Sequence, residues 1–428
     1  MWHKITMRTA YLTHVSFRDH DTGTGHPESP QRLEVIETVL RQEDLWKGLL
    51  LPSFSPATED QLRLCHDEAL IERIRELEKR GGGAIDPDTR VSRVSFQVAC
   101  LAAGAAIRAC DGVLRGEWNT AFVASRPPGH HATPSRAMGF CLFNNVAIAA
   151  REMQRVHGLK RIAIVDFDVH HGNGTQDIFY EDASVFYASV HQSGIFPQSG
   201  LPEERGSGEG EGTTFNIALP PGQGDAEYLA AWEKVGKAVK AFEPELILVS
   251  AGYDAHYDDP LGGMKVTRDG FAALMQCTIE WARELCDGRL VCVLEGGYSL
   301  GGLSQSVAAT IEVLDKDPGD LVMLFDENLM TAKRIVLQLE RAGYRINGYK
   351  EFPRTVIEES PKIILLNLGA RAFANGQLIE RCRTRFPEAR IIGYSGHLEI
   401  ELRRAAKAAG IDKLLNNEHA LTALIEHL

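Results

Sequence analysis

The chain has 428 residues, 44% hydrophobic and 24% charged, with a formal net charge of −12. That length exceeds what one core usually serves, so two domains are expected in a composition typical of soluble globular proteins. The acidic balance argues against nucleic-acid or anionic-membrane partners, no run approaches about 18 uninterrupted apolar residues, and the polar start is not a secretory segment.

Eight scattered cysteines without a Cys-x-x-Cys pair suit reduced thiols and a cytoplasmic protein. Residues 26–32 lead from Ser29-Pro30 into a helix with Leu33, Ile36 and Leu40 on one face. The polar loop before it, 19–26, either rims a site or is only a loop. A second amphipathic helix is expected over 59–80, stopped by Gly81-Gly82-Gly83. The small residues between Val94 and Leu114 predict a helix packed closely on a sheet. Thr120–Ala124 reads as a strand that breaks into Ser125-Arg126-Pro127-Pro128-Gly129-His130-His131. Adjacent imidazoles with different neighbours take different pKa values, as acid–base chemistry needs; the plain alternative is two loop histidines at the surface.

Arg161–Asp177 (RIAIVDFDVHHGNGTQD) opens on a buried strand, Ile162–Val165, and ends in glycine-rich turn material. Asp168 and His170 fall on one side of the extended strand end, about 7 Å apart along the backbone. Such a pair either holds a metal ion or simply meets solvent. Ser184–His191 is a further strand. The long loop Gln192–Thr213 contains a glycine-rich run (206–212) that joins no strand to a helix and carries two glutamates, so a nucleotide site is rejected. Leu246–Ser250 runs into Ala251-Gly252-Tyr253-Asp254, and Leu290–Leu294 into Glu295-Gly296-Gly297-Tyr298, with helices at 226–242 and 268–286 between. Four strands that each end in a polar glycine loop point to a parallel α/β sheet, whose ligands bind at the strands' carboxyl ends. Asp254 then joins Asp168 and His170. Two carboxylates and an imidazole make a catalytic zinc set, and the oxygen-rich donors also suit ferrous iron or cobalt.

The motifs RPPGHHA (126–132), GFCLFNN (139–145), DFDVHHGNGTQ (166–176), SAGYDAH (250–256) and LEGGY (294–298) closely resemble the zinc-dependent histone deacetylases, nearest the class II type, over roughly residues 10–315. The resemblance implies the arginase-deacetylase fold and hydrolysis of N-acetylated amines. By that resemblance Asp168, His170 and Asp254 bind zinc, and His131 is general base and then acid beside His130. Asp166 orients His130, Asn173 sits behind His131, and Tyr298 donates to the developing oxyanion. Gly139, Phe140 and Phe196 line a narrow channel, and a structural potassium ion uses Asp166, Asp168, His170, Ser189 and Val190. Leu261 stands where a polyamine-specific relative has an acid, which favours an acylated lysine peptide over a small acylated amine. Asp258, Asp259, Asp19 and Asp21 remain as sources of negative potential.

The catalytic part is expected over 1–315, followed by a polar hinge at 315–320 and a second domain at 320–428. Its β-α alternation resembles the receiver domain of response regulators, a flavodoxin-like fold: strands at 321–325, 363–368, 390–394 and 413–415, helices at 330–342, 377–385, 399–409 and 420–427. Asn367 stands in the phosphoacceptor's place, and of the paired acids Asp326 remains, with Glu327 beside it. Asn416 replaces the usual lysine, and Ser395 fits the hydroxyl position. An asparagine forms no acyl phosphate, so this reads as a pseudo-receiver for homo-oligomer formation or protein docking.

Overall fold

Residues 9–315, 321–341, 344–353, 360–370, 377–396 and 399–428 are described by a computed structural model. The expected hinge from 316 to 320, the polar start at 1–8 and Ala342 lie outside the described residues. The chain divides into two units, Met1–Lys316 and Asp317–Leu428.

The first unit is built on seven parallel strands: β1 (Thr9–Leu12), β4 (Thr120–Val123), β5 (Ile162–Asp166), β6 (Val185–Gln192), β7 (Thr214–Leu219), β8 (Leu246–Ala251) and β9 (Leu290–Leu294). Two short strands, β2 (Gly83–Ala84) and β3 (Arg90–Val91), form a separate antiparallel pair. The order across the main sheet is β1-β4-β9-β8-β5-β6-β7. Strands β4, β5, β8 and β9 are buried along their whole length. Apolar runs such as IAIVD and LVCVL suit parallel strands covered on both faces.

The helices are α1 (Gln31–Gln42), α2 (Glu59–Leu62), α3 (Glu68–Lys79), α4 (Ser95–Leu114), α5 (Asn145–His157), α6 (Asn173–Phe179), α7 (Asp225–Phe242), α8 (Arg268–Leu285) and α9 (Leu300–Asp315). They flank the sheet, with α4 packed on α5, and α1, α9, α8 and α7 packed in a row. Helix α4 is long and apolar enough to cross a membrane, and 67% of its apolar window is buried in the fold. Its small residues have a definite use: a Cβ on Gly104 would lie 2.0 Å from the Ser55 carbonyl oxygen.

The helix expected over 59–80 is two helices. The chain breaks at 63–67, where buried His66 donates from Nδ1 to the Thr133 carbonyl (2.9 Å) and accepts the Asn144 N–H at Nε2 (2.8 Å). The Asp67 N–H donates to the Pro134 carbonyl. These long-range bonds override local periodicity. Strands β1 and β7 were not expected; both lie at sheet edges and are short or only partly buried.

The second unit is a five-stranded parallel sheet of order β11-β10-β12-β13-β14, made of β10 (Leu321–Phe325), β11 (Arg345–Tyr349), β12 (Ile363–Asn367), β13 (Arg390–Ser395) and β14 (Lys413–Asn416). Its helices are α10 (Leu329–Arg341), α11 (Gln377–Arg385), α12 (Ile400–Ala408) and α13 (Asn417–Thr422). Edge strand β11, half exposed, was not expected. The last predicted helix, 420–427, is instead α13 followed by a 3-10 turn, Leu424–His427.

Candidate active site

Strands β4, β9, β8 and β5 are neighbours in the sheet, although the chain visits them far apart. Their carboxyl ends therefore bring together the loops bearing His130-His131, Tyr298, Asp254 and Asp168–His170.

Asp168, His170 and Asp254 offer three ligand atoms that all lie within 4.8 Å of one another. His170 Nδ1 is 3.2 Å from Asp168 Oδ1 and 3.1 Å from Asp254 Oδ2. Both carboxylates are fully buried. Burial, reinforced by the charge of Asp168, raises Asp254 to about 7. Burial opposes the charge on Asp168 as well, but His130 and His170 outweigh it and hold that carboxyl low. Two buried carboxyl groups and an imidazole converging on one point are the oxygen and nitrogen donors of a metal site. A divalent cation would take the place of the protons these groups otherwise share, so the donor set fits a metal.

The two histidines of the β4 loop have opposite surroundings. His130 donates from Nδ1 to Asp166 Oδ2 (3.0 Å), and its Nε2 lies 3.8 Å from Asp168 Oδ2. Burial works against its charge, yet Asp168 and Asp166 raise it to about 10. His131 donates from Nδ1 to Asn173 Oδ1 (2.9 Å), which leaves Nε2 with its lone pair. Burial first, then the charges of His130 and His170, push His131 well down. Their rings are 4.0 Å apart, so one imidazolium stands beside one neutral imidazole.

Tyr298 is half-buried, its hydroxyl kept protonated by burial, which outweighs the opposing Arg32 cation. Its loop is held from both sides. Arg32 donates to the Glu295 carbonyl (2.6 Å) and the Gly297 carbonyl (2.7 Å), and Asp259 accepts the N–H groups of Tyr298 (2.6 Å) and Ser299 (3.0 Å). Asp259 is thus buried and its Oδ2 is committed to the tyrosine loop. Asp258, Asp19 and Asp21 are exposed.

Phe140 meets Tyr298 edge-on at 5.7 Å, with His26 against it at 4.7 Å. Phe196 stands edge-on to His131 at 5.0 Å. Gly139 lies between them at φ +56, and a Cβ there would come 2.5 Å from His131 and 2.9 Å from Phe196. Leu261 is 37% exposed, in the loop after Asp254.

Of the residues expected around potassium, Asp166 and Ser189 are ladder partners on β5 and β6. Asp166 also accepts the Tyr187 hydroxyl (3.1 Å), and Val190 is buried. The His171 and His191 rings lie 4.9 Å apart, tilted at 49°; burial lowers them to about 3 and about 4, so both are neutral.

Several supporting residues carried no role in the sequence reading. Glu295 accepts the N–H groups of Gly129 (2.6 Å) and His130 (3.1 Å), fixing the histidine loop. Glu28, Arg32 and Arg126 form a fully buried ion network linking α1 to that loop. One signal was available: Arg32, Ile36 and Leu40 share a helix face, so this arginine sits on the apolar side, four residues after Glu28.

Residues 26–314 match the family of the histone deacetylase domain. A probable deacetylase of Archaeoglobus fulgidus is 43% identical over 300 residues, 69% of this chain and 83% of its own length. The chloroplastic histone deacetylase 14 of Arabidopsis thaliana is 42% identical over 307 residues, 68% of this chain and 73% of the relative. A histone deacetylase-like amidohydrolase of Pseudomonas aeruginosa is 38% identical over 317 residues, 73% of this chain and 83% of that protein. The crystal structure of the HDA15 HD domain superposes with a TM-score of 0.69 at 35% identity, covering 72% of this chain and 88% of that one.

Proposed function

Since the chain belongs to the histone deacetylase family, and is a hydrolase of amide bonds by that membership, we propose that it removes acetyl or other acyl groups from lysine side chains of proteins or peptides. The observation that carries the reading is the convergence of Asp168, His170 and Asp254 beside the unlike imidazoles of His130 and His131. Asp168, His170 and Asp254 would hold zinc, with ferrous iron or cobalt as substitutes. When bound, the ion lowers the pKa of water and polarises a carbonyl. His131 Nε2 takes the proton from the attacking water and returns it to the leaving amine. His130, charged and held by Asp166, stabilises the negative charge that grows beside it. The Tyr298 hydroxyl donates to the amide oxygen as that oxygen gains charge. We assign a potassium ion to Asp166, Asp168, His170, Ser189 and Val190; its support is the ladder pairing of Asp166 with Ser189.

The apolar Leu261 and the inward commitment of Asp259 favour an acyl-lysine stem. The exposed Asp19, Asp21 and Asp258 favour a second reading, an acetylpolyamine amidohydrolase. Comparing kcat/KM on acyl-lysine peptides with that on acetylated putrescine and spermidine decides between them; a large polyamine preference overturns the first. Metal-loaded protein that turns over no member of an acyl-amine panel would instead be a binding module.

The second unit we read as a pseudo-receiver, on the strand order β11-β10-β12-β13-β14, the flavodoxin-like 2-1-3-4-5 pattern. Asp326 accepts from Asn367 Nδ2 (2.8 Å), the Tyr394 hydroxyl (2.6 Å) and the Thr331 hydroxyl (2.5 Å), so its carboxylate is already occupied. We propose that this unit docks a protein partner or a second copy. Incubation with acetyl phosphate is expected to leave no phosphoaspartate, and a phosphorylated aspartate there would refute the reading. Eight free cysteines and the net charge of −12 support a cytoplasmic protein without nucleic-acid or membrane partners.

A further inference from the structure

Phe196 faces His131, yet it belongs to the loop between β6 and β7 and is 40% exposed. An aromatic side chain on a surface loop keeps one position only where the loop is tied to rigid elements. The ties here run to two buried imidazoles that the chemistry above leaves unused. His171 Nδ1 lies 2.8 Å from the Ser199 hydroxyl, and His171 Nε2 donates to Gln176 Oε1 (3.0 Å). His191, near the end of β6, donates from Nε2 to the Gly200 carbonyl (3.0 Å) and accepts the Ser189 hydroxyl at Nδ1 (2.8 Å). Gly200 has φ +82, and a Cβ there would come 2.6 Å from both rings. The Gln198 N–H donates to the Ile195 carbonyl (2.9 Å), closing a turn over residues 195–198 that contains Phe196 and ends two residues before Gly200, so a shift at Gly200 reaches Phe196 through Ser199 and that turn.

We propose that His171 and His191, gripping Ser199 and Gly200, are positioning residues that hold Phe196 in the channel wall and so set how wide an acyl-amine stem the channel accepts. This rests on the acyl-amine hydrolase reading of the site. The histidines supply two rigid planes and one donor and one acceptor each, and glycine supplies the close approach that lets both rings touch the loop.

The test is a double-mutant cycle on the full-length, metal-loaded enzyme with Gly200→Ala, Phe196→Ala and the double variant. Each is assayed on an acetyl-lysine peptide and on one with a bulkier acyl group, with metal content measured throughout. Gly200→Ala is expected to raise KM by about tenfold, the scale of a mis-set apolar contact, with kcat within about threefold and metal content unchanged. In the Phe196→Ala background the same change is expected to add almost nothing. Unchanged KM, additive effects, or a fall in kcat accompanied by metal loss would each overturn the proposal. Should Gly200→Ala not fold, Ser199→Ala replaces it in the same cycle, with the same non-additivity expected and the same additivity refuting. A wild-type enzyme inactive on every acyl amine defeats the functional reading, whereas an active one with additive effects defeats only this inference.

Discussion

Replacing Glu28 by glutamine tests how far the site depends on the ion network behind it. The carboxylate accepts from Arg126 Nη2 (2.8 Å) and Arg32 Nη1 (3.2 Å), and all three side chains are fully buried. Burial alone would raise this carboxyl; the Arg126 and Arg32 cations overcome it and hold it at about 2 instead of 4.5. That difference corresponds to about 3 kcal/mol of folded-state stability at neutral pH. Leaving two buried guanidinium groups without their partner gives a similar figure, about 3–5 kcal/mol. Because the folded pKa is depressed, the contribution is complete above about 4.5 and fades as pH falls towards about 2. Urea unfolding of wild type and Glu28→Gln, followed by loss of activity from pH 7 downwards, reads this directly. The gap between the two is expected to be about 3 kcal/mol at pH 7 and to close only below about pH 4.5. Subtracting the variant removes the titrating groups remote from Glu28, while His20, buried 3.8 Å from its carboxylate, is perturbed together with it. A gap below about 1 kcal/mol at pH 7, or one that widens on acidification, would refute the argument.

Three further outcomes are expected. Tyr298→Phe should lose about a hundredfold or more in kcat, the usual cost of a missing oxyanion donor, while keeping its metal; near-wild-type turnover would remove the tyrosine from the chemistry. Gly139→Ala should cost about 1–2 kcal/mol for the left-handed backbone and, by crowding His131 and Phe196, lower kcat/KM by more than tenfold on about the same energy scale. A chelator should abolish turnover and added zinc or cobalt restore it, and Asp254→Asn should weaken metal affinity by more than the about 10–100-fold typical of losing an outer partner, measured by competition with a metal indicator.

The catalytic unit's sheet was legible where its strands are buried on both faces, because IAIVD, LILVSA and LVCVL admit little else of that length between glycine turns. Edge strands β1, β7 and β11 were not, since an edge needs neither a continuous apolar run nor strict alternation. The break in 59–80 was equally hidden. Its cause is the bonding of His66 to residues 133 and 144, far along the chain.

For the site, the sequence supplied the chemistry and lacked the adjacency. Asp168 and His170 sit two residues apart, but Asp254 reaches them only because β8 is inserted beside β5 after the chain has built β6 and β7. Charged residues show the same asymmetry. Read along the chain, Glu28, Arg126, Asp259 and Glu295 look like ordinary solvated charges and Arg32 alone of the five falls on an apolar helix face, yet all five are buried. A buried charge persists only where partners satisfy it, and here the partners are the two guanidinium groups and the backbone groups of the loops carrying His130 and Tyr298. The aspartates considered as sources of negative potential are therefore divided in setting. Asp259 anchors the tyrosine loop, whereas Asp19, Asp21 and Asp258 are exposed. The histidine and tyrosine loops alike are thus set by carboxylates and a guanidinium group buried behind them.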